Sequence, residues 1–279
     1  MAKVNGLAYE EAGSGPAVVL VHAGVGDRRM WEHQFAALSR RYRVIRYDWR
    51  GRGESDDATG EVTHYRDLLG LLDALDVRRA ALVGCSMGGS YALEAALAEP
   101  DRVSALALIS SGLSGHEWPP EFHALVAERV HGCVPEERLR RYALGDAEVD
   151  PADVAAMAEA QGRLTVVGPD RDPADLDPRV WRLALDMLRL VFRREWSGPR
   201  VLERHSSPGS RLGEVAAPTL VINGLSDVPA IQAVSDLLSA GIPGARRIDL
   251  PDTGHLPPVE RAAEVTEALT RFLAAEHSG

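Results

Sequence analysis

The stretch "ALVGCSMGGSYALEAALAEP", residues 81–100, constrains the fold more than any other part of the chain. An apolar run ends at Gly84, a serine stands between glycines, and an alanine-rich helical pattern begins at once. A strand that becomes a helix within two residues forces close contacts, which glycines relieve by having no Cβ. Gly84-Cys85-Ser86-Met87-Gly88 fits G-x-S-x-G, a pattern that recurs by chance in about one chain in ten of comparable size. Its setting, after a buried strand and before a helix, makes it informative. The corner lifts the Ser86 hydroxyl above the sheet end, beside a helix N-terminus where the Met87 amide lacks an intrahelical acceptor and negative charge is favoured.

The surrounding sequence repeats the strand-then-helix theme. "AVVLVHA" (17–23), "YRVIRYD" (42–48), "AALVG" (80–84) and "VSALALISS" (103–111) predict strands. Helical spacing covers 30–41, 62–77 and the segment after Ser86. The alternation then stops. Residues 113–212 are rich in Pro, Arg, Asp and Glu, with helical segments at 121–130 and 179–196 and no strand of comparable quality. Alternation resumes with strands at 219–224 and 245–251, and helices over 229–240 and from Pro257. The expectation is an α/β fold whose mostly parallel central sheet is covered by helices on both faces. Residues 1–112 and 213–279 make its core, and 113–212 an inserted helical cap.

Composition narrows the function. The 279 residues carry a formal net charge of −10, the wrong sign for gripping nucleic-acid phosphates. Lys3 is the only lysine, so Schiff-base chemistry has no candidate deeper in the chain. Cys85 and Cys133 cannot build a disulfide framework or a zinc cage. No dinucleotide or Walker loop is present, and His and Cys are scattered rather than grouped as metal ligands. The chain calls for no cofactor and no metal. Without a signal-peptide pattern or a bilayer-length apolar run, it reads as a soluble cytoplasmic protein acting on a small molecule, with monomer and homo-oligomer both open.

A serine nucleophile needs a base, and the base needs an acid to hold its tautomer. His255, in "LPDTGHLPPVE", falls in a loop at the same sheet end as Ser86. Asp227 in "VINGLSDVPA" follows the strand that resumes the sheet, and is preferred to Asp252, which stands too near His255 to wrap back onto it. The strand ending in Ser110 and Ser111 offers no carboxylate. His22 is expected to shape its loop. The loop after it would supply a second oxyanion donor at the Gly24 N–H beside that of Met87, with Gly26 letting the chain pass close. Cys85 should face away from the pocket.

These residues resemble the α/β-hydrolase superfamily, through "VHAGVGDRRMW" (21–31), "YDWRGRGESD" (47–56), "GCSMGG" (84–89), "NGLSD" (223–227) and "DTGHLPPVE" (252–260) in that order. The resemblance is to its small-molecule ester and lactone branch, including 3-oxoadipate enol-lactonases, carboxylesterases and cofactor-free haloperoxidases. Ala23 departs from the glycine many members carry there. The resemblance implies a serine hydrolase that cleaves an ester or lactone through Ser86, His255 and Asp227. Alternatives are a lyase or C–C bond hydrolase with the same residues as an acid–base device, a perhydrolase-like enzyme, and a ligand-binding receptor. Trp118, Trp181 and Trp196 are expected to line the cap side of a substrate pocket. Arg138, Arg140 and Arg141 offer either a charge for a carboxylated substrate or a solvated helix face.

Overall fold

A computed structural model of the chain describes residues 2–276. Ten strands are present among them: β1 Ala2–Val4, β2 Leu7–Ala12, β3 Ala17–Val21, β4 Arg43–Tyr47, β5 Gly60–Val62, β6 Ala80–Cys85, β7 Val103–Ile109, β8 Val201–Glu203, β9 Thr219–Gly224 and β10 Arg246–Leu250. Eight of these form one sheet in the order β1-β2-β4-β3-β6-β7-β9-β10. From β4 to β10 every neighbouring pair is parallel, while β1–β2 and β2–β4 are antiparallel. The fold is thus a mostly parallel sheet with an antiparallel edge.

Both faces of the sheet are covered, which is why its central strands read as unbroken apolar runs. On one face Val19, Val21, Leu82 and Leu106 pack against α2 (His64–Ala74) and α3 (Met87–Ala98). On the other, Val18, Leu20, Val83 and Cys85 pack with residues of α10 (Ala262–Glu276), including Leu269 and Phe272. α1 (Glu32–Leu38) lies on this second face. α3 is buried all round from Gly88 to Leu97, the burial an alanine- and leucine-rich helix with no polar stripe requires.

Between β7 and β9 the chain leaves the large sheet. It forms α4 (Pro120–Arg129), α5 (Glu136–Leu144), α6 (Pro151–Gly162) and α7 (Pro178–Ser197), with a π-helical turn at Arg163–Val167 running on from α6. The three-residue β8 pairs in parallel with β5, so the end of this insertion is stitched to the loop after β4. Arg194 on α7 adds a second tie, donating to the carbonyls of Arg52, Gly53 and Ser55 and to the Asp57 carboxylate. α8 (Pro229–Gly241) and the short α9 (Pro257–Glu260) complete the chain.

Candidate active site

β6 ends at Cys85 and α3 begins at Met87, so Ser86 alone makes the corner. It does so with φ 54° and ψ −123°, a left-handed backbone that costs a non-glycine residue about 1–3 kcal/mol. Packing around the corner explains the flanking glycines. A Cβ on Gly84 would overlap the Gly88 carbonyl, and one on Gly88 would overlap the carbonyls of Val21 and His22 at the end of β3. Gly88 therefore lets the first turn of α3 settle onto the neighbouring strand, which draws the loop after β3 up to Ser86.

Three distant segments meet at this corner. Ser86 Oγ lies 2.8 Å from His255 Nε2, and His255 Nδ1 lies 2.7 Å from Asp227 Oδ2. Asp227 and His255 are both buried, whereas Ser86 and Met87 are half-buried. The other Asp227 oxygen accepts the Val228 N–H at 2.7 Å, which fixes the plane of the carboxylate. An ionised carboxylate only accepts, so the imidazole proton sits on Nδ1 and the Nε2 lone pair faces the Ser86 hydroxyl. That is the arrangement of a base ready to take a proton.

Gly24 and Met87 are adjacent in space: a Cβ on Gly24 would fall 2.5 Å from Met87 Sδ, so the thioether lies over residue 24. Among the described residues neither of their amides is spent on a loop or turn carbonyl. Ala23 fits without disturbance, its side chain buried with Val18 and Leu20 on one face of the sheet and its carbonyl accepting the Gly26 N–H at 3.0 Å. Gly26 is not sterically required. A Cβ there would meet only ordinary contacts, with Met187 Sδ nearest at 3.5 Å.

Neighbouring candidates take other parts. His22 is fully buried and stacked on Trp49, with ring centroids 5.0 Å apart. Its Nδ1–H donates to the Ala23 carbonyl at 2.8 Å and its Nε2 accepts the Trp49 N–H at 3.3 Å. Burial, outweighing the pull of Asp48, pushes its pKa below the usual imidazole value, so His22 is a neutral brace for the loop. Asp252 is exposed and adopts φ 50°, and its carbonyl accepts from Arg171; it does not reach the His255 ring. Cys85 points into the second core face, its thiol 3.7 Å from the His255 carbonyl and pushed well up by burial, with the Asp227 charge adding to the shift.

Beside Met87 opens a cavity of about 520 Å³, walled by Trp49 and His64 from the core and by Tyr142, Trp196 and Arg200 from the insertion. Of the three tryptophans singled out in the sequence, Trp196 lines this space, stacked on Tyr142 at 5.4 Å. Trp181 instead lies over Gly162, and Trp118 packs against Phe122 and His116, so neither is part of its wall. The arginines of α5 are spent within the insertion: Arg138 on Asp150 and Asp153, Arg140 on Glu136 and Glu137, and Arg141 on the Asp146 carbonyl. His64 in the cavity wall was not anticipated; burial, then the charges of Arg52 and neighbouring groups, lowers its pKa to about 3. No helix among the described residues is long and apolar enough to cross a membrane.

Residues 16–150 match the family described as alpha/beta hydrolase fold. Over 283 aligned residues the chain is 31% identical to a 2-hydroxy-6-oxononadienedioate/2-hydroxy-6-oxononatrienedioate hydrolase of Paraburkholderia xenovorans strain LB400, covering 96% of this chain and 90% of that protein. Among solved structures, the enol-lactonase from Burkholderia xenovorans LB400 superposes with a TM-score of 0.75 at 28% identity, covering 98% and 99% of the two chains. A malate-bound thermophilic esterase from Thermogutta terrifontis gives 0.76 at 28% identity, over 97% and 94%. With the serine corner, the sheet order and near full-length similarity to a named hydrolase in agreement, the chain belongs to the α/β-hydrolase family and is a hydrolase.

Proposed function

We propose that the protein hydrolyses small-molecule esters or lactones through an acyl-enzyme on Ser86. The observation that carries this reading is the unbroken hydrogen-bonded chain from Asp227 through His255 to the Ser86 hydroxyl, with contacts of 2.7 and 2.8 Å. As Ser86 Oγ bonds to the substrate carbonyl carbon, its proton passes to His255 Nε2, and Asp227 stabilises the imidazolium. The carbonyl oxygen becomes an oxyanion, held by the amides of Gly24 and Met87 at the positive end of α3. When the tetrahedral intermediate collapses, the bond to the leaving oxygen breaks and His255 returns the proton to it. Water, deprotonated by His255, then attacks the acyl carbon and frees Ser86.

Residues 113–212 act in this reading as a cap that closes over the serine and selects the substrate. Its support is the cavity beside Met87, whose walls come from both the core and the insertion. Ser86 and His255 are not among its lining residues, so Met87 is the link between the serine and this space, whose volume of about 520 Å³ takes groups much larger than acetyl. Turnover of p-nitrophenyl acetate tests the nucleophile. Ser86→Ala and His255→Ala should each lower kcat by at least about a thousand-fold, and Asp227→Asn by roughly as much, since the amide favours the wrong tautomer. Equal rates for wild type and Ser86→Ala would remove Ser86 from the mechanism.

Cleavage of a C–C bond in a vinylogous diketone is the second reading, favoured by the oxononadienedioate hydrolase relative. There His255 and Ser86 would serve as an acid–base device on a carbon leaving group. A panel pairing graded esters and enol-lactones with a ring-fission diketone separates the two by kcat/KM.

A further inference from the structure

We propose that Arg171, with Glu260 and the π-turn at Arg163–Val167, positions His255 and Asp227 for the reaction, so that the insertion builds part of the catalytic frame. The inference rests on His255 being the base. His255 sits between β10 and α9 in a loop with no ladder or helix to hold its backbone. It is held from the insertion on one side and from α9 on the other. The His255 N–H donates to the Thr165 carbonyl at 3.1 Å, and the preceding Gly254 N–H donates to Glu260 Oε2 at 2.8 Å.

Arg171 locks this loop from the other side. One terminal nitrogen donates to the Asp252 carbonyl at 2.6 Å and to Glu260 Oε1 at 2.7 Å, and the other to Glu260 Oε2 at 3.2 Å. Its Nε–H reaches back to the Val167 carbonyl at 2.7 Å, so one guanidinium spans the π-turn, the His255 loop and α9. The pair is largely withdrawn from water, with Arg171 and Glu260 side chains 13% and 9% exposed. A planar, always charged fork suits such multipoint bridging better than an ammonium does.

The residue after the π-turn also packs against the loop that carries the acid. Gly168, at φ 106°, lies so close to the Ser226 carbonyl that a Cβ would overlap it, and a Cβ on Gly254 would overlap the Val166 carbonyl. The Ser226 N–H donates to the Thr253 carbonyl at 2.8 Å, closing the ring between the loops that carry Asp227 and His255. A π-turn leaves carbonyls outside the regular helical ladder, which is why those of Thr165 and Val167 are available here. Base and acid must hold their geometry to about 0.5 Å for efficient proton transfer, and this bracket supplies that precision.

The experiment compares Arg171→Ala, Arg171→Lys and Glu260→Gln with Arg138→Ala, which removes an ion pair inside the insertion away from the His255 loop. Readouts are kcat and KM on p-nitrophenyl acetate, the rate of fluorophosphonate labelling of Ser86, and the downfield proton NMR signal of His255 Nδ1–H. Arg171→Ala and Glu260→Gln should lower kcat and the labelling rate about ten- to a hundred-fold, with KM nearly constant, and shift or broaden the downfield signal. Arg171→Lys should recover part of the rate. The proposal is overturned if folded Arg171→Ala keeps kcat and signal within about two-fold of wild type, or if Arg138→Ala matches its loss at equal Tm. Should Arg171→Ala fail to fold, the near-isosteric Glu260→Gln decides by the same criteria. Full activity in Ser86→Ala or His255→Ala would instead defeat the triad reading itself.

Discussion

His64 shows how one buried side chain can make stability depend on pH. Its imidazole sits between Trp49 and Tyr91, with ring centroids 4.6 and 4.7 Å away, and its pKa is lowered to about 3. In the unfolded chain it titrates near 6.5, so below that pH the unfolded state binds a proton that the native state refuses. The stabilisation is complete above the unfolded value and drains away as pH falls toward 3. Between pH 7 and 5, His64 alone should cost about 2 kcal/mol, and His22, also lowered by burial, adds a loss of the same sign. Urea unfolding at the two pH values checks this: His64→Phe should shrink the loss by about 2 kcal/mol. Identical losses in the two proteins would mean His64 is protonated in the native state.

At the level of elements, what matters is how the insertion is fastened. β8 with β5 and Arg194 with the loop after β4 fix its far end, while the π-turn and Arg171 fix its middle. Glu94 on α3 secures both of its ends, accepting from Ser114 Oγ and from the Ser206 N–H, each at 2.6 Å. Removing the Arg194 tie should loosen α7 without unfolding the sheet. Arg194→Ala is expected to lower the local opening free energy by about 2 kcal/mol, read as roughly thirty-fold faster amide exchange in α7. Exchange in β6 and β7 should stay unchanged. An equal acceleration there would show the insertion and the sheet opening as one unit.

Across the whole molecule, charge is unevenly placed. The chain is acidic overall, yet Arg50, Arg52, Arg194 and Arg200 all line the cavity beside Met87. Three of them are matched by the carboxylates of Asp67, Glu195 and Asp57. Arg200 has no carboxylate partner among the described residues and donates only to the Ala143 carbonyl, at 3.1 Å. Acyl chains ending in a carboxylate should therefore be turned over roughly ten-fold better than methyl-ended chains of equal length, a charge-assisted hydrogen bond's worth of selectivity. Arg200→Ala should bring the two kcat/KM values together, and a wild type with no preference would rule the contact out.

The sheet and its serine corner could be read from the residues because both are local. Apolar runs, helical periodicity and glycine spacing depend on near neighbours along the chain, and Ser86 and His255 stand beside such signals. Asp227 needed one further step, the placing of its strand next to the one before the insertion. β2, paired on both sides between β1 and β4, carries no comparable signal because "LAYEEA" mixes polar with apolar residues, as an antiparallel strand with one partly solvated face allows. Trp181 and Trp118 look equivalent to Trp196 along the chain, and only the packing of the insertion put one of them at the cavity. Arg171 and Glu260 lie 89 positions apart, and nothing near either one announces the other. Contacts of that kind arise when loops already placed by the core close on one another, so they belong to the folded molecule and leave no periodic trace in the chain.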